Sequence, residues 1–165
     1  MRKDVIICDL DGTLADLTHR RPLVERPHMV HDDGSTSVDI DWRPNWDGFH
    51  KACVDDTPLR TNIQVVVTLA ETLGCELWIV SGRSQSVEAE TREWIHKYVG
   101  PINGLLMRTV GDYTPDDRLK RQWILDGHMM PSKDRVLCVF DDRDRVVKMW
   151  RQLGLTCYQV AQGNF

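Results

Sequence analysis

Asp9 and Asp11 stand two positions apart in Ile6-Ile7-Cys8-Asp9-Leu10-Asp11-Gly12-Thr13-Leu14, directly after the apolar run Val5 to Cys8. Two carboxylates this close repel each other and need a cation or a shared proton. Hard oxygen ligands with room for water and a phosphate suit Mg²⁺. One carboxylate can then bind the ion and attack phosphorus while the other manages the proton. An ordinary Asp-Gly turn after a strand has the same short pattern. What separates the two is which other residues the fold brings to the same place.

Three further sets have suitable chemistry. Asp141-Asp142 follows an apolar strand, Arg135 to Phe140, as the first acids do. With Asp9 and the main-chain carbonyl of Asp11, one or both can complete an oxygen shell around a hard cation. Ser81-Gly82-Arg83 follows the apolar run Glu76 to Val80. The Ser81 hydroxyl and the Gly82 amide can bond phosphate oxygens at a strand-to-helix turn, and the planar fork of Arg83 can hold a phosphate bidentately. Lys120 lies on a helix expected over 116–126, where its ammonium can neutralise a nucleophile and a transferring phosphoryl group. Asp116, one turn earlier, can orient Lys120 or a substrate-binding arginine.

The elements that must position these residues follow from periodicity. An apolar run bounded by turn residues reads as a buried strand. Such runs occur at Val5 to Cys8, Glu76 to Val80, Gly104 to Met107, Arg135 to Phe140 and Leu155 to Val160. Amphipathic helices alternate with them: one from Thr61 stopped by Gly74, one from Ser84 or Ser86 to Gly100, one over 116–126, and one after Asp142 ended by Gly154. Alternating strands and helices call for an α/β fold with a doubly wound, five-stranded parallel sheet. The chain's strands are expected in the spatial order third, second, first, fourth, fifth, which places the polar strand ends together at the switch point.

Residues 15–58 lack strong periodicity and are expected to form a small cap inserted after the first strand. Within it, 31–37 reads as a loop or hairpin tip. Trp42, Trp46 and Phe49 read as the cap's own small core, with base stacking as their second possible use.

Asp9-Leu10-Asp11-Gly12-Thr13, Ser81, Lys120 and Asp141-Asp142, in this order, resemble the motifs of the haloacid dehalogenase superfamily of aspartate-nucleophile phosphatases. The resemblance implies a Rossmann-like core, Mg²⁺, an attacking Asp9 that forms an aspartyl-phosphate, and an Asp11 that protonates the leaving alcohol and then activates water. It narrows further. Val80 to Arg83, Gly111 to Asp117 with Lys120, Asp141 to Arg151 and Cys157 to Phe165 resemble the 3′-phosphatase half of phage polynucleotide kinase-phosphatase. That likeness implies a phosphorylated nucleic-acid end as substrate and roles for Arg20, Arg83 and Asp116 around the phosphate. No Gly-x-x-x-x-Gly-Lys-Ser/Thr occurs, so no kinase half is expected and residues 1–165 read as one phosphatase domain.

Composition bounds the alternatives. With 21 Lys+Arg against 25 Asp+Glu, net charge is −4, which argues against a large footprint on duplex nucleic acid. No apolar run reaches spanning length and the start does not fit a signal peptide, so no membrane contact is expected. The five cysteines are odd in number with no Cys-x-x-Cys, consistent with a reducing cytoplasm. The rival functions are a nucleotidase or small-molecule phosphomonoesterase, and a non-catalytic module that binds phosphorylated ends. Binding alone needs neither a nucleophile nor a proton carrier, which speaks against the last.

Overall fold

The computed structural model describes residues 4–127 and 130–163. Its centre is a parallel sheet of β1 (Val5–Cys8), β2 (Glu76–Ser84), β3 (Gly104–Arg108), β4 (Val136–Asp141) and β5 (Cys157–Gln159). The spatial order is β3-β2-β1-β4-β5, as expected from the alternating pattern. All four residues of β1 are buried, because neighbouring strands flank it and helices cover both faces.

The period-2 alternation of β1 divides the core in two. Val5 and Ile7 face one layer, with Leu119, Trp123, Val146, Val147 and Trp150. These come from α4 (Asp116–Asp126) and α5 (Asp144–Gln152). Ile6 and Cys8 face the other layer, with Ile63, Val66, Ala70, Trp94 and Ile95. These come from α2 (Arg60–Leu73) and α3 (Glu88–Tyr98). Gly74 ends α2 in the left-handed conformation at φ 65°, where a side chain would be strained.

The 15–58 segment leaves and rejoins the core through a two-residue antiparallel ladder, Ala15 opposite Pro58 and Asp16 opposite Thr57. Inside it lie a 3₁₀ turn at Thr18–Leu23, a hairpin of His28–Val30 with Thr36–Val38, and helix α1 (Trp46–Lys51). The Asn45 side chain caps α1 by accepting from the Gly48 amide at 2.9 Å. A second 3₁₀ turn, Ala52–Asp55, returns the chain to the ladder.

Two strands differ most from their expected extents: β5 covers only Cys157–Gln159 of the expected 155–160, and β2 runs long. β2 does not stop at Val80 but continues to Ser84, with a register break between Ser81 and Ser84 against Met107 and Arg108 of β3. Two extra residues on β2 therefore bulge out of the ladder, and a bulge re-aims the side chains it carries. Ser81-Gly82-Arg83 thus sits in a strand irregularity, and α3 begins only at Glu88. The helix terminus expected to meet phosphate there is not adjacent to Ser81. All five cysteines are free; Cys8, Cys138 and Cys157 lie in strands, while Cys75 falls just before β2. No helix among the described residues is long and apolar enough to cross a membrane.

Candidate active site

β1 and β4 end side by side, with the Asp9 amide donating to the Phe140 carbonyl at 2.9 Å. The chain then turns tightly: the Leu10 carbonyl accepts from the amides of Leu14 and Ala15 at 2.9 Å each. Gly12 takes φ +84° in this turn, and a Cβ there would collide with the Asp142 carboxylate. The turn therefore needs glycine twice over, for its backbone angle and for the close approach of Asp142.

Lys120, from α4, is buried between the two strand ends. Its Nζ donates to Asp9 Oδ1 at 2.6 Å and to Asp141 Oδ2 at 2.8 Å. Burial pushes its ammonium toward the neutral form, but the Asp141 and Asp9 carboxylates outweigh this and hold it firmly charged. Burial pushes the Asp9 carboxyl up, Lys120 pulls it back, and Asp141 and Asp142 push it up again, leaving it well above the ordinary range. Asp142 is raised to about 6 by burial and then by Asp141.

Asp9, Asp141 and Asp142 each offer a carboxylate oxygen within 4.8 Å of the others, and all three are buried. Three carboxylates share one ammonium, so the cluster carries an excess of negative charge in a desolvated place. Its donors are all hard oxygens, with no thiolate or imidazole among them. That set fits a hard divalent cation. The Thr13 hydroxyl donates to Asp142 at 3.3 Å and the Trp150 indole N–H to Asp141 at 3.3 Å. These bonds orient the outer carboxylates.

The Asp11 side chain faces away from this cluster, toward two arginines. Arg20 Nη2 donates to its Oδ1 at 2.7 Å, and Arg83 donates to the same oxygen through Nε at 2.8 Å and Nη2 at 2.6 Å. Burial pushes the Asp11 carboxyl up, but the Arg83 and Arg20 guanidinium groups more than offset it and hold it below the ordinary value. Both arginines are buried and reach a second carboxylate, Asp56. Arg20 grips Asp56 through Nε to Oδ1 and Nη2 to Oδ2, both at 2.7 Å, and Arg83 Nη2 pairs with Asp56 Oδ2. The Arg20 guanidinium also lies 4.2 Å from the Phe49 ring centre. The forks of Arg20 and Arg83, expected near phosphate, are thus occupied by carboxylates.

The Ser81 hydroxyl is fully buried and accepts from the Arg83 amide at 3.2 Å. Gly82 lines the cleft, and a Cβ there would collide with Asp116. Asp116 holds two arginines, Arg108 and Arg143, one on each carboxylate oxygen. Arg108 also donates to the Gly82 carbonyl at 3.0 Å and the Thr114 carbonyl at 2.5 Å. Arg108, Arg143 and Asp56 join this network without having been expected from the sequence. Arg108 ends β3 and Arg143 directly follows Asp142, so both carried the strand-end signal used for the others. Asp56 carried none.

Asp9, Asp11, Gly82, Asp116, Lys120, Asp141 and Asp142 line one cleft of about 640 Å³, within the ~300–1,000 Å³ range of small-ligand sites. The cap contributes Trp46, Phe49 and His50 to its wall. A polar floor holding a buried ammonium and an electron-rich carboxylate can attack an electrophile such as a phosphoryl group.

Comparison with known proteins agrees with this geometry. The family model described as the polynucleotide kinase PNKP phosphatase domain matches residues 28–165. A protein of Autographa californica nuclear polyhedrosis virus, to which a bifunctional polynucleotide kinase/RNA ligase role is ascribed, is 30% identical over 158 residues, covering 95% of this chain and 19% of its own length. A chain in the structure of the Pnkp1/Rnl/Hen1 RNA repair complex superposes with a TM-score of 0.72 at 27% identity, over 99% of this chain and 44% of that one. The chain therefore spans under half the length of these relatives. CbbY from Rhodobacter sphaeroides, solved with phosphate, has a TM-score of 0.59 at 18% identity over 99% of this chain and 88% of its own, a likeness of fold. The match over residues 28–165 places this chain in the PNKP phosphatase-domain family of haloacid dehalogenase phosphatases, a family of phosphomonoesterases.

Proposed function

We propose that this domain removes 3′-phosphates from polynucleotide ends through an aspartyl-phosphate on Asp9. The observation that carries the chemistry is the contact of Lys120 with Asp9 Oδ1 at 2.6 Å at the floor of a cleft. The Lys120 ammonium opposes the burial and the neighbouring carboxylates that raise Asp9, and it fixes one Asp9 oxygen, leaving the other for attack. Membership of the PNKP phosphatase-domain family, with relatives bearing polynucleotide kinase and RNA repair names, supports the substrate class.

In this account Asp9 attacks phosphorus and the bond from phosphorus to the 3′ oxygen breaks. Asp11, anionic at rest, takes a proton from the bound phosphomonoester and delivers it to that leaving oxygen; it then takes one from the water that hydrolyses the acyl phosphate and passes it to the departing phosphate. Inorganic phosphate departs and Asp9 is restored. Arg20 and Arg83 load only Oδ1 of Asp11, so Oδ2 is the oxygen suited to carry the proton. Asp116 aims Arg108 and Arg143 into the cleft, where they can bind phosphate oxygens. Gly82 lets the backbone approach, and Ser81 sets the bulge from beneath. Asp9, Asp141 and Asp142, with the Asp11 carbonyl, would hold Mg²⁺, which when bound neutralises charge on the transferring phosphoryl group. Residues 15–58 act as the cap that chooses the leaving group.

The test is a substrate panel with Mg²⁺: 3′- and 5′-phosphorylated oligonucleotides, nucleoside 3′- and 5′-monophosphates, and glycerol 2-phosphate. The 3′-phosphorylated oligonucleotide is expected to have the highest kcat/KM. Preference for free mononucleotides over every oligonucleotide would replace this reading with a nucleotidase.

A further inference from the structure

Two large aromatic side chains on the cleft are not used by the chemistry above. Trp46 is 50% exposed and Tyr113 is 88% exposed, and both line the cleft that ends on Asp9. Single exposed aromatics on a protein surface are ordinary. Here two of them border the same opening, from different elements: Trp46 opens α1 in the cap, and Tyr113 lies in the loop after β3.

Packing holds the Trp46 ring, and hydrogen bonds hold the loop that carries Tyr113. The Trp46 ring meets Phe49 edge-on at 5.7 Å, and His50 lies against it at 6.3 Å. Phe49 is in turn anchored over Arg20, so the ring is tied to the Asp11 pair. Tyr113 sits between two residues whose carbonyls Arg108 binds, Asp112 at 3.3 Å and Thr114 at 2.5 Å. The Thr114 amide closes the turn on the Asp112 side chain at 2.8 Å. Arg108 is itself fixed by Asp116 at the site floor. The Trp46 ring is thus packed on the arginine system around the reacting phosphate, and the backbone that carries Tyr113 is tied to the same system. Arg21 and Arg145 line the same cleft and suit the phosphodiester that continues from a terminal nucleotide.

We infer that Trp46 and Tyr113 form a clamp for the terminal nucleobase of the phosphate-bearing strand, a site resting on the 3′-phosphatase reading. Every base has a flat π-face, so stacking on these rings holds any terminal base. It adds affinity with little sequence preference, which suits an enzyme acting on ends. The rings recognise the base while Arg108, Arg143 and Lys120 face the phosphate.

The experiment crosses protein truncation with substrate truncation. A single-stranded oligonucleotide with a 3′-phosphate on a normal terminal nucleotide is compared with one whose terminal nucleotide is abasic. Unsubstituted protein, Trp46→Ala, Tyr113→Ala and the double variant are assayed on both, with circular dichroism as the fold check. The unsubstituted protein should favour the base-bearing end about five- to a hundredfold in kcat/KM, the range that base–ring stacking gives. Each single variant should shrink this preference, and the double variant should bring it close to one. Equal rates on both ends by the unsubstituted protein, or an unchanged preference in the double variant, would overturn the clamp while leaving the phosphatase reading intact. Failure to hydrolyse either end would overturn that reading and the clamp with it. The abasic comparison needs no variant, so a misfolded substitution cannot decide the outcome.

Discussion

Arg83 donates two N–H groups to one oxygen of Asp11, Nε at 2.8 Å and Nη2 at 2.6 Å, and leaves the other oxygen to the cleft. An arginine expected to bind phosphate instead fixes the group expected to move protons. The arrangement holds the Asp11 carboxyl below its ordinary value and orients it through Oδ1. It is completed by Asp56, which holds Arg83 and Arg20 together from behind.

Arg83→Gln is expected to destabilise the protein by about 3–5 kcal/mol at neutral pH, because it leaves the buried Asp56 and the half-buried Asp11 with one arginine between them and, on Asp56, His19 besides. The pH dependence gives the mechanism. With Arg83 present, Asp11 titrates below its unfolded value near ~3.9, so its contribution is present above that pH and is lost on acidification through the folded pKa. Without Arg83, burial dominates and the folded pKa rises, so the remaining contribution is greatest in acid and is lost as pH rises. The Tm deficit of the variant should be largest at pH 8 and narrow toward pH 5. A deficit that is constant or grows on acidification would contradict the charge argument.

The Asp142 carboxyl, raised to about 6, gives an opposite signature. Its stabilising contribution is full below about 3.9 and is lost as pH rises through about 6. In EDTA, the Tm of the unsubstituted protein measured against Asp142→Asn should therefore climb between pH 7.5 and 5.5. Added Mg²⁺ should raise Tm at pH 7.5, by about 2.7 kcal/mol of stability at a hundredfold excess over Kd, and less at pH 5, where protons compete. Phosphatase activity should vanish on chelation and return with Mg²⁺. A Tm that does not respond to Mg²⁺ at either pH, or full activity after exhaustive chelation, would remove the ion from the site.

Much of this site was legible because the chemistry sits at strand ends. Asp9, Asp141 and Ser81 each follow an apolar run, and the alternation of strands with helices fixes which runs become neighbours. Lys120 is one of three basic residues on its helix, with Arg118 and Arg121, and only the motif resemblance singled it out; its contact with Asp9 needed the fold. Asp56 was not legible: it lies in the aperiodic 15–58 segment, and its importance comes from two arginines that are 36 and 27 residues away. The orientation of Arg83 was hidden for a different reason. The bulge that turns it inward depends on β3 pairing with Ser84 past the break, a cross-strand relation that no local pattern encodes.

Asp116→Ala should release Arg108 and Arg143 together. The expected result is a fall in kcat/KM on the 3′-phosphorylated oligonucleotide of about ten- to a hundredfold, the scale of misplaced positioning groups. Asp116→Asn, which keeps the shape but weakens both pairs, should lie between the two. An Asp116→Ala protein with normal circular dichroism and unchanged kcat/KM would show that the paired arginines do not act on substrate.

The central claim is that Asp9 is the nucleophile, and Asp9→Asn tests it most directly. The change is nearly isosteric and keeps a hydrogen-bond acceptor near Lys120, so the far-ultraviolet circular dichroism should match that of the unsubstituted protein. An amide cannot form the acyl phosphate, and removal of a nucleophile costs orders of magnitude in turnover. Hydrolysis of the 3′-phosphorylated oligonucleotide, measured on the same sample with Mg²⁺, should fall by about 10³-fold or more. Turnover within about tenfold of the unsubstituted protein would contradict the assignment and require another nucleophile in the cleft.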